Sequence, residues 1–86
     1  MENRIASISI IVEDTSSVES LNACLHEYGS CIIGRMGLPY QVEGRKIHII
    51  SIAVDAPQDV ISTLSGRIGK LPGVSVKTAC SNITPG

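Results

Sequence analysis

The sequence has no Phe and no Trp, and its aromatic residues are two tyrosines. Any hydrophobic core must therefore be aliphatic. Single-stranded nucleic acid is bound on stacking platforms, and nucleic acid in general through a basic footprint. With a formal net charge of −1 and so few rings, the composition argues against direct nucleic-acid binding. Cysteine is scarce and odd in number. Cys24, Cys31 and Cys80 form no C-x-x-C spacing, so disulfides are not expected. Long apolar runs are also missing. The longest, Ile47 to Val54, is interrupted by His48, Ser51 and Ala53 and is too short to span a bilayer. The N-terminus opens with charged residues and passes directly into a strand pattern, which is not the pattern of a signal peptide. A reduced, cytoplasmic setting without membrane contact is expected.

What is present is aliphatic and patterned. The chain has 86 residues and a hydrophobic fraction of 43%. That length makes one domain, expected over residues 1–80, with a polar tail at 81–86. A domain this small buries only about 60–65% of its unfolded surface, and small domains often compensate by oligomerising. Arg4 to Val12 alternates as a strand. Ser16 followed by Glu19 reads as a capping box opening a helix, whose apolar stripe is Val18, Leu21, Leu25 and Tyr28 with Cys24 on its flank. Gly29 is expected to end that helix as its C′ residue. Ser30 to Met36 reads as a second strand and Gly37 to Gly44 as a loop or loose hairpin. Lys46 to Asp55 is the third and most apolar strand. Pro57 suits the first turn of a second helix running to about Lys70, with Val60, Ile61, Leu64, Ile68 and Leu71 as its stripe. Pro72-Gly73 breaks the chain, and Val74 to Cys80 alternates as a fourth strand.

The order is βαββαβ, the ferredoxin-like pattern of an α+β sandwich. Right-handed crossovers put both helices on one face of a four-stranded antiparallel sheet. The helix-free face then carries Ile5, Ser7, Ser9, Ile11, Ile47, Ile49, Ser51 and Ala53. Four isoleucines among small residues make a patch that a monomer does not usually leave in water. A homo-oligomer, dimer or tetramer, is expected to form through this face. A second expected contact is a strip of small residues on the outer side of the second helix, where Ser62, Gly66 and Gly69 stand with Ser65. Each helix glycine costs about 1 kcal/mol relative to alanine. Either a neighbouring subunit approaches closely there, or the helix ends near Gly66.

Two stretches, Leu64-Ser65-Gly66-Arg67-Ile68-Gly69-Lys70-Leu71-Pro72-Gly73-Val74-Ser75-Val76-Lys77-Thr78 and Arg35-Met36-Gly37-Leu38-Pro39, together with an opening strand ending in Val12-Glu13-Asp14, closely resemble the iron-only hydrogenase system regulators. The resemblance covers about residues 4 to 79. It implies an ACT-like fold, related to the C-terminal domain of the nickel-responsive repressor, and a regulatory, oligomeric role. Amino-acid-binding ACT domains usually have a glycine in the turn after the first strand. Here that turn is Asp14-Thr15-Ser16-Ser17, so the resemblance does not carry amino-acid binding to it. The repressor's His-x-His is absent, so nickel sensing is not carried over. No ribbon–helix–helix segment is expected ahead of Arg4, so transcriptional control is expected to need a partner.

No catalytic constellation can be named. No paired carboxylates and no Cys/His or Ser/His/Asp arrangement is supported by spacing. Neither a cofactor nor a metal is expected. A soft-metal set of Cys31, His48 and Cys80 has no ligand spacing behind it, and buried, inert cysteine is the default. His48 is read as a partly buried structural residue, and His26 as solvated. The best place for a small-molecule effector is the Arg35 to Gly44 loop. Arg35 offers a forked donor to a carboxylate or phosphate, Gly37 allows close backbone approach, and Tyr40 offers a flat surface. The plainer reading is an ordinary hairpin with Arg35 in a surface ion pair.

Overall fold

The alternation in the first segment makes a strand whose even-numbered residues turn inward. In the computed structural model, which describes residues 2–81, β1 covers Asn3–Val12. Its Ala6, Ile8, Ile10 and Val12 are buried. A short 3-10 turn, Thr15–Ser17, leads into α1, Val18–Glu27. After a second such turn, Gly29–Cys31, follow β2 at Ile32–Val42 and β3 at Arg45–Pro57. Helix α2 spans Gln58–Gly69 and β4 spans Val74–Cys80. The sheet order is β2-β3-β1-β4, with every neighbouring pair antiparallel. Both helices cover one face. Leu21, Cys24 and Leu25 of α1 and Ile61, Leu64 and Ile68 of α2 form one core with the even-numbered residues of β1 and β3. This is the α+β, ferredoxin-like βαββαβ sandwich that the element order requires.

Several boundaries differ from expectation, each for a local reason. The cap before α1 is Asp14, not Ser16. The Asp14 carboxylate accepts from the Ser16 N–H at 3.0 Å and the Ser16 hydroxyl at 2.6 Å. Ser17 stands at the N-cap, but its buried hydroxyl donates to the Pro72 carbonyl instead, at 2.6 Å. Gly29 is not a left-handed C′ residue. The helix closes at Tyr28, and Gly29 opens the 3-10 turn. Pro57 ends β3 and caps α2 rather than sitting inside its first turn. Gly66 does not end α2, which continues to Gly69.

The largest difference is the hairpin. Residues 37–42 are strand, and the connection is the two-residue turn Glu43-Gly44, with φ of 48° and 79°. Two consecutive positive φ values describe the turn whose twist matches a β-hairpin. Pro39 is tolerated because β2 is an edge strand with no partner on its outer side. β1 ends opposite His48, so residues 45–47 of β3 pair with β2 alone. The hairpin tip projects beyond the sheet body as a two-stranded arm, and the molecule measures 46 × 18 × 17 Å. Ser81 is tied back by its N–H to the Ile5 carbonyl at 2.8 Å. The rest of the expected polar tail, residues 82–86, lies outside the described residues.

Candidate functional site

The register assigns every sheet residue to a face. Ile5 pairs with Asp55, Ser7 with Ala53, Ser9 with Ser51, and Ile11 with Ile49. These lie on the face without helices, and Ile47 follows in phase. Met36 pairs with Ser51, Leu38 with Ile49, Tyr40 with Ile47, and Val42 with Arg45, so β2 adds four large side chains to the same face. Exposure is 70% at Met36, 58% at Leu38, 59% at Tyr40 and 40% at Val42, with 41% at Ile11 and 38% at Ile49. The eight residues expected here do share this face. Met36, Leu38 and Val42 were missed because Gly37 and Pro39 read as loop punctuation. The period-2 run Met36-x-Leu38-x-Tyr40-x-Val42 was the signal that could have found them.

The expected effector trio does not converge. Arg35 pairs with Ile52 and Gly37 with Ile50, both core positions, so these two turn toward the helix layer. Tyr40 turns to the opposite face. Arg35 is also engaged, donating from Nη2 to Asn22 Oδ1 at 2.7 Å. Among the described residues it is neither free for an anion at the arm nor in an ion pair, and the Arg35–Gly37–Tyr40 site is corrected accordingly. A different hollow lies on the arm, of about 290 Å³, lined by Pro39, Tyr40, Gln41, Lys46, Ile47 and His48. Of the expected trio it keeps Tyr40. Arg35 is four residues from Pro39, about 13 Å along the strand.

The small-residue strip divides. Gly66 and Ser62 are exposed, a Cβ at Gly66 would meet nothing within 4 Å, and the Ser62 hydroxyl accepts from Gln58 Nε2 at 3.3 Å. Gly69 is exposed as well but borders β4, since a Cβ there would stand 3.1 Å from Val76 Cγ1. Ser65 likewise meets Thr78, Oγ to Oγ1 at 2.5 Å. Gly69 and Ser65 therefore lie at the margin where α2 packs on β4, which corrects the expectation that they point away from the sheet. Arg67 clasps the two helix ends by pairing with the Glu27 carboxylate. It also donates to the Tyr28 hydroxyl at 3.4 Å and stacks 5.4 Å from that ring. These contacts hold its guanidinium protonated beyond the ordinary arginine range, the Tyr28 bond contributing most.

The turn after β1 is closed. Gly73, at φ 66°, packs so tightly on it that a Cβ would fall 2.5 Å from Asp14 Cβ. The Glu13 N–H donates to the Gly73 carbonyl at 2.8 Å. The two bonds from Ser16, the side-chain one first, lower the Asp14 carboxyl below its ordinary value. Burial raises the Cys24 thiol, with the Arg67 charge opposing. His48 is half-buried opposite Val12, whereas Cys80 pairs with Ala6 toward the other end of β1. Cys31, His48 and Cys80 are therefore not assembled into one ligand set. No helix among the described residues is long and apolar enough to cross a membrane.

The TM1266-like family, described as "Iron-only hydrogenase system regulator, putative", matches residues 4–78. Among solved structures the chain is similar to the uncharacterized protein TM1266 from Thermotoga maritima. The two are 31% identical over 92% of this chain and 98% of that one, with a TM-score of 0.84. It is also similar to the ACT domain of the GTP pyrophosphokinase of Chlorobium tepidum, at 21% identity over 96% and 92% of the two chains, TM-score 0.64. A third is CPII from Thiomonas intermedia K12, solved bound to ADP, AMP and acetate, at 16% identity over 96% and 94%, TM-score 0.59. The last two likenesses concern the fold alone, which is ACT-like. No curated protein matches the chain.

Proposed function

The chain belongs to the TM1266-like family, and on that membership we propose that it is a regulatory, non-enzymatic ACT-like domain of an iron-only hydrogenase system. It works in the cytoplasm as a homo-oligomer and responds to a small-molecule effector. One observation carries the assembly. The helix-free face presents Met36, Leu38, Tyr40, Val42, Ile11 and Ile49, each between 38% and 70% exposed, as one apolar surface on a small domain. Such a continuous patch marks an interface rather than a solvated face, and a second copy of the same sheet supplies a surface of matching chemistry. With a net charge of −1, any control of transcription passes through a DNA-binding partner.

Light scattering after size exclusion tests the assembly. A dimer or tetramer is expected at micromolar protomer, and Leu38→Lys or Ile49→Lys is expected to give folded monomers. A monomeric wild type overturns it. A second reading, an interaction module without an effector, is favoured by the closure of the β1–α1 turn over Gly73 and by the engagement of Arg35 with Asn22. Thermal-shift screening separates the two, because an effector that binds the native state raises the melting temperature by mass action.

A further inference from the structure

We infer that the hollow on the projecting arm is a binding site for a small oxyanion, a carboxylate or a phosphate. Three successive cross-strand pairs line it: Pro39 with His48, Tyr40 with Ile47, and Gln41 with Lys46. Side chains alternate along each strand. The first and third pairs therefore share the face on which Ile50 lies, and the middle pair lies between them with its side chains turned to the other face. Pro39, Gln41, Lys46 and His48 thus line the hollow from one face of the arm, and Tyr40 and Ile47 complete its lining.

Three features point to an anion. No Asp or Glu lines the hollow. Among the described residues, Lys46, His48 and Gln41 make no side-chain hydrogen bond or ion pair, unlike Arg35 and Arg67, which are both engaged. The residues that carry these donors are also held in place by the register of a ladder rather than by a flexible loop. A charged oxygen gains most from such a set, because hydrogen bonds to an ionised acceptor are stronger than neutral ones. A hollow of about 290 Å³ stands at the lower end of the range of ligand pockets, which suits a small molecule. The hollow lies on the opposite side of the arm from the apolar face, and the two share the same pair of strands. The site deepens the regulatory reading by naming an effector class, and it rests on that reading for its purpose, not for its geometry.

The test is a titration of the 15N-labelled full chain with inorganic phosphate and, separately, with acetate, each against chloride at equal ionic strength. The expected result is saturable movement of the Tyr40, Gln41, Lys46, Ile47 and His48 amide signals by at least one oxyanion, with an affinity on the order of millimolar. The anion that saturates lower identifies the class. Lys46→Ala is expected to weaken binding about threefold to fivefold, as befits a solvent-facing ion pair, while Lys46→Arg retains it. Movement no greater than with chloride, movement centred elsewhere, or unchanged affinity in Lys46→Ala overturns the site. A chain that oligomerises yet shows no saturation overturns this site alone. A monomeric chain that saturates at these five amides supports the site and overturns the assembly alone.

Discussion

Among the described glycines, Gly73 makes the closest approach to another segment, against Asp14, and this sets up a quantitative comparison. Gly73 and Gly44 both have positive φ, 66° and 79°, so alanine at either position meets the same conformational cost. A Cβ in the left-handed region costs about 1–2 kcal/mol, offset by about 0.4–1 kcal/mol from the stiffer unfolded chain. At Gly44 nothing lies within 4 Å of the new atom, so Gly44→Ala should lose about 1 kcal/mol or less. At Gly73 the new atom would stand 2.5 Å from Asp14 Cβ and 2.9 Å from Asp14 N. Backbone cannot rotate away as a flexible side chain can, so the turn must shift. It would carry with it the Glu13 to Gly73 bond and the Ser17 to Pro72 bond. Overpacking of this kind adds about 1–3 kcal/mol. Gly73→Ala should therefore lose about 2–4 kcal/mol in all, a large fraction of the stability of so small a domain. In a domain of this length that lowers the melting temperature by roughly 10–25 °C. Circular-dichroism melts of the two variants and wild type, at one protomer concentration, measure the difference. Melts of Gly73→Ala and Gly44→Ala that coincide within a few degrees would refute the close approach.

Other expectations follow from the same geometry. Gly66→Ala should raise stability by about 0.5–1 kcal/mol, since it stands in a helix interior with open space around it; a loss in urea unfolding would place Gly66 at a contact. Leu64→Ala should cost about 2–5 kcal/mol because Leu64 is fully buried against the sheet. A wild-type melt would mean α2 is oriented otherwise. The folded-state Asp14 carboxyl is lowered from 3.8, so its contribution is present above that value and is lost as pH falls through the folded value. Asp14→Asn should flatten the acid limb of the stability profile, and an unchanged limb would remove Asp14 from that role. Burial raises the Cys24 thiol, so a thiol reagent should label exposed Cys80 first and Cys24 last, as peptide mapping would show.

Much of the core was legible because burial and alternation are written in the same period. Ile8, Ile10 and Val12 in β1 and Ile50, Ile52 and Val54 in β3 repeat every second residue, and Ile61, Leu64 and Ile68 repeat at helical spacing, so side-chain periodicity alone assigns them inward. The candidate site was less legible. Arg35 and Tyr40 are close in sequence, yet an odd spacing on a strand turns their side chains to opposite faces. The same two residues in a loop would have been free to converge. The arm was hidden by Gly37 and Pro39, which interrupt a strand pattern locally but are accommodated on an unpaired edge.

Sequence by itself determined the element order, the two helix stripes and the apolar character of β1 and β3, because these depend on the spacing of apolar residues along one segment. Tertiary structure alone decided what depends on pairing between segments. It extended the helix-free face by Met36, Leu38 and Val42, turned Gly69 toward Val76 and gave Asn22 to Arg35. It also brought Gln41 beside Lys46 and Pro39 beside His48. Which strand lies next to which, and in what register, is set by the core as a whole, so these neighbours are not written in any single stretch of the chain.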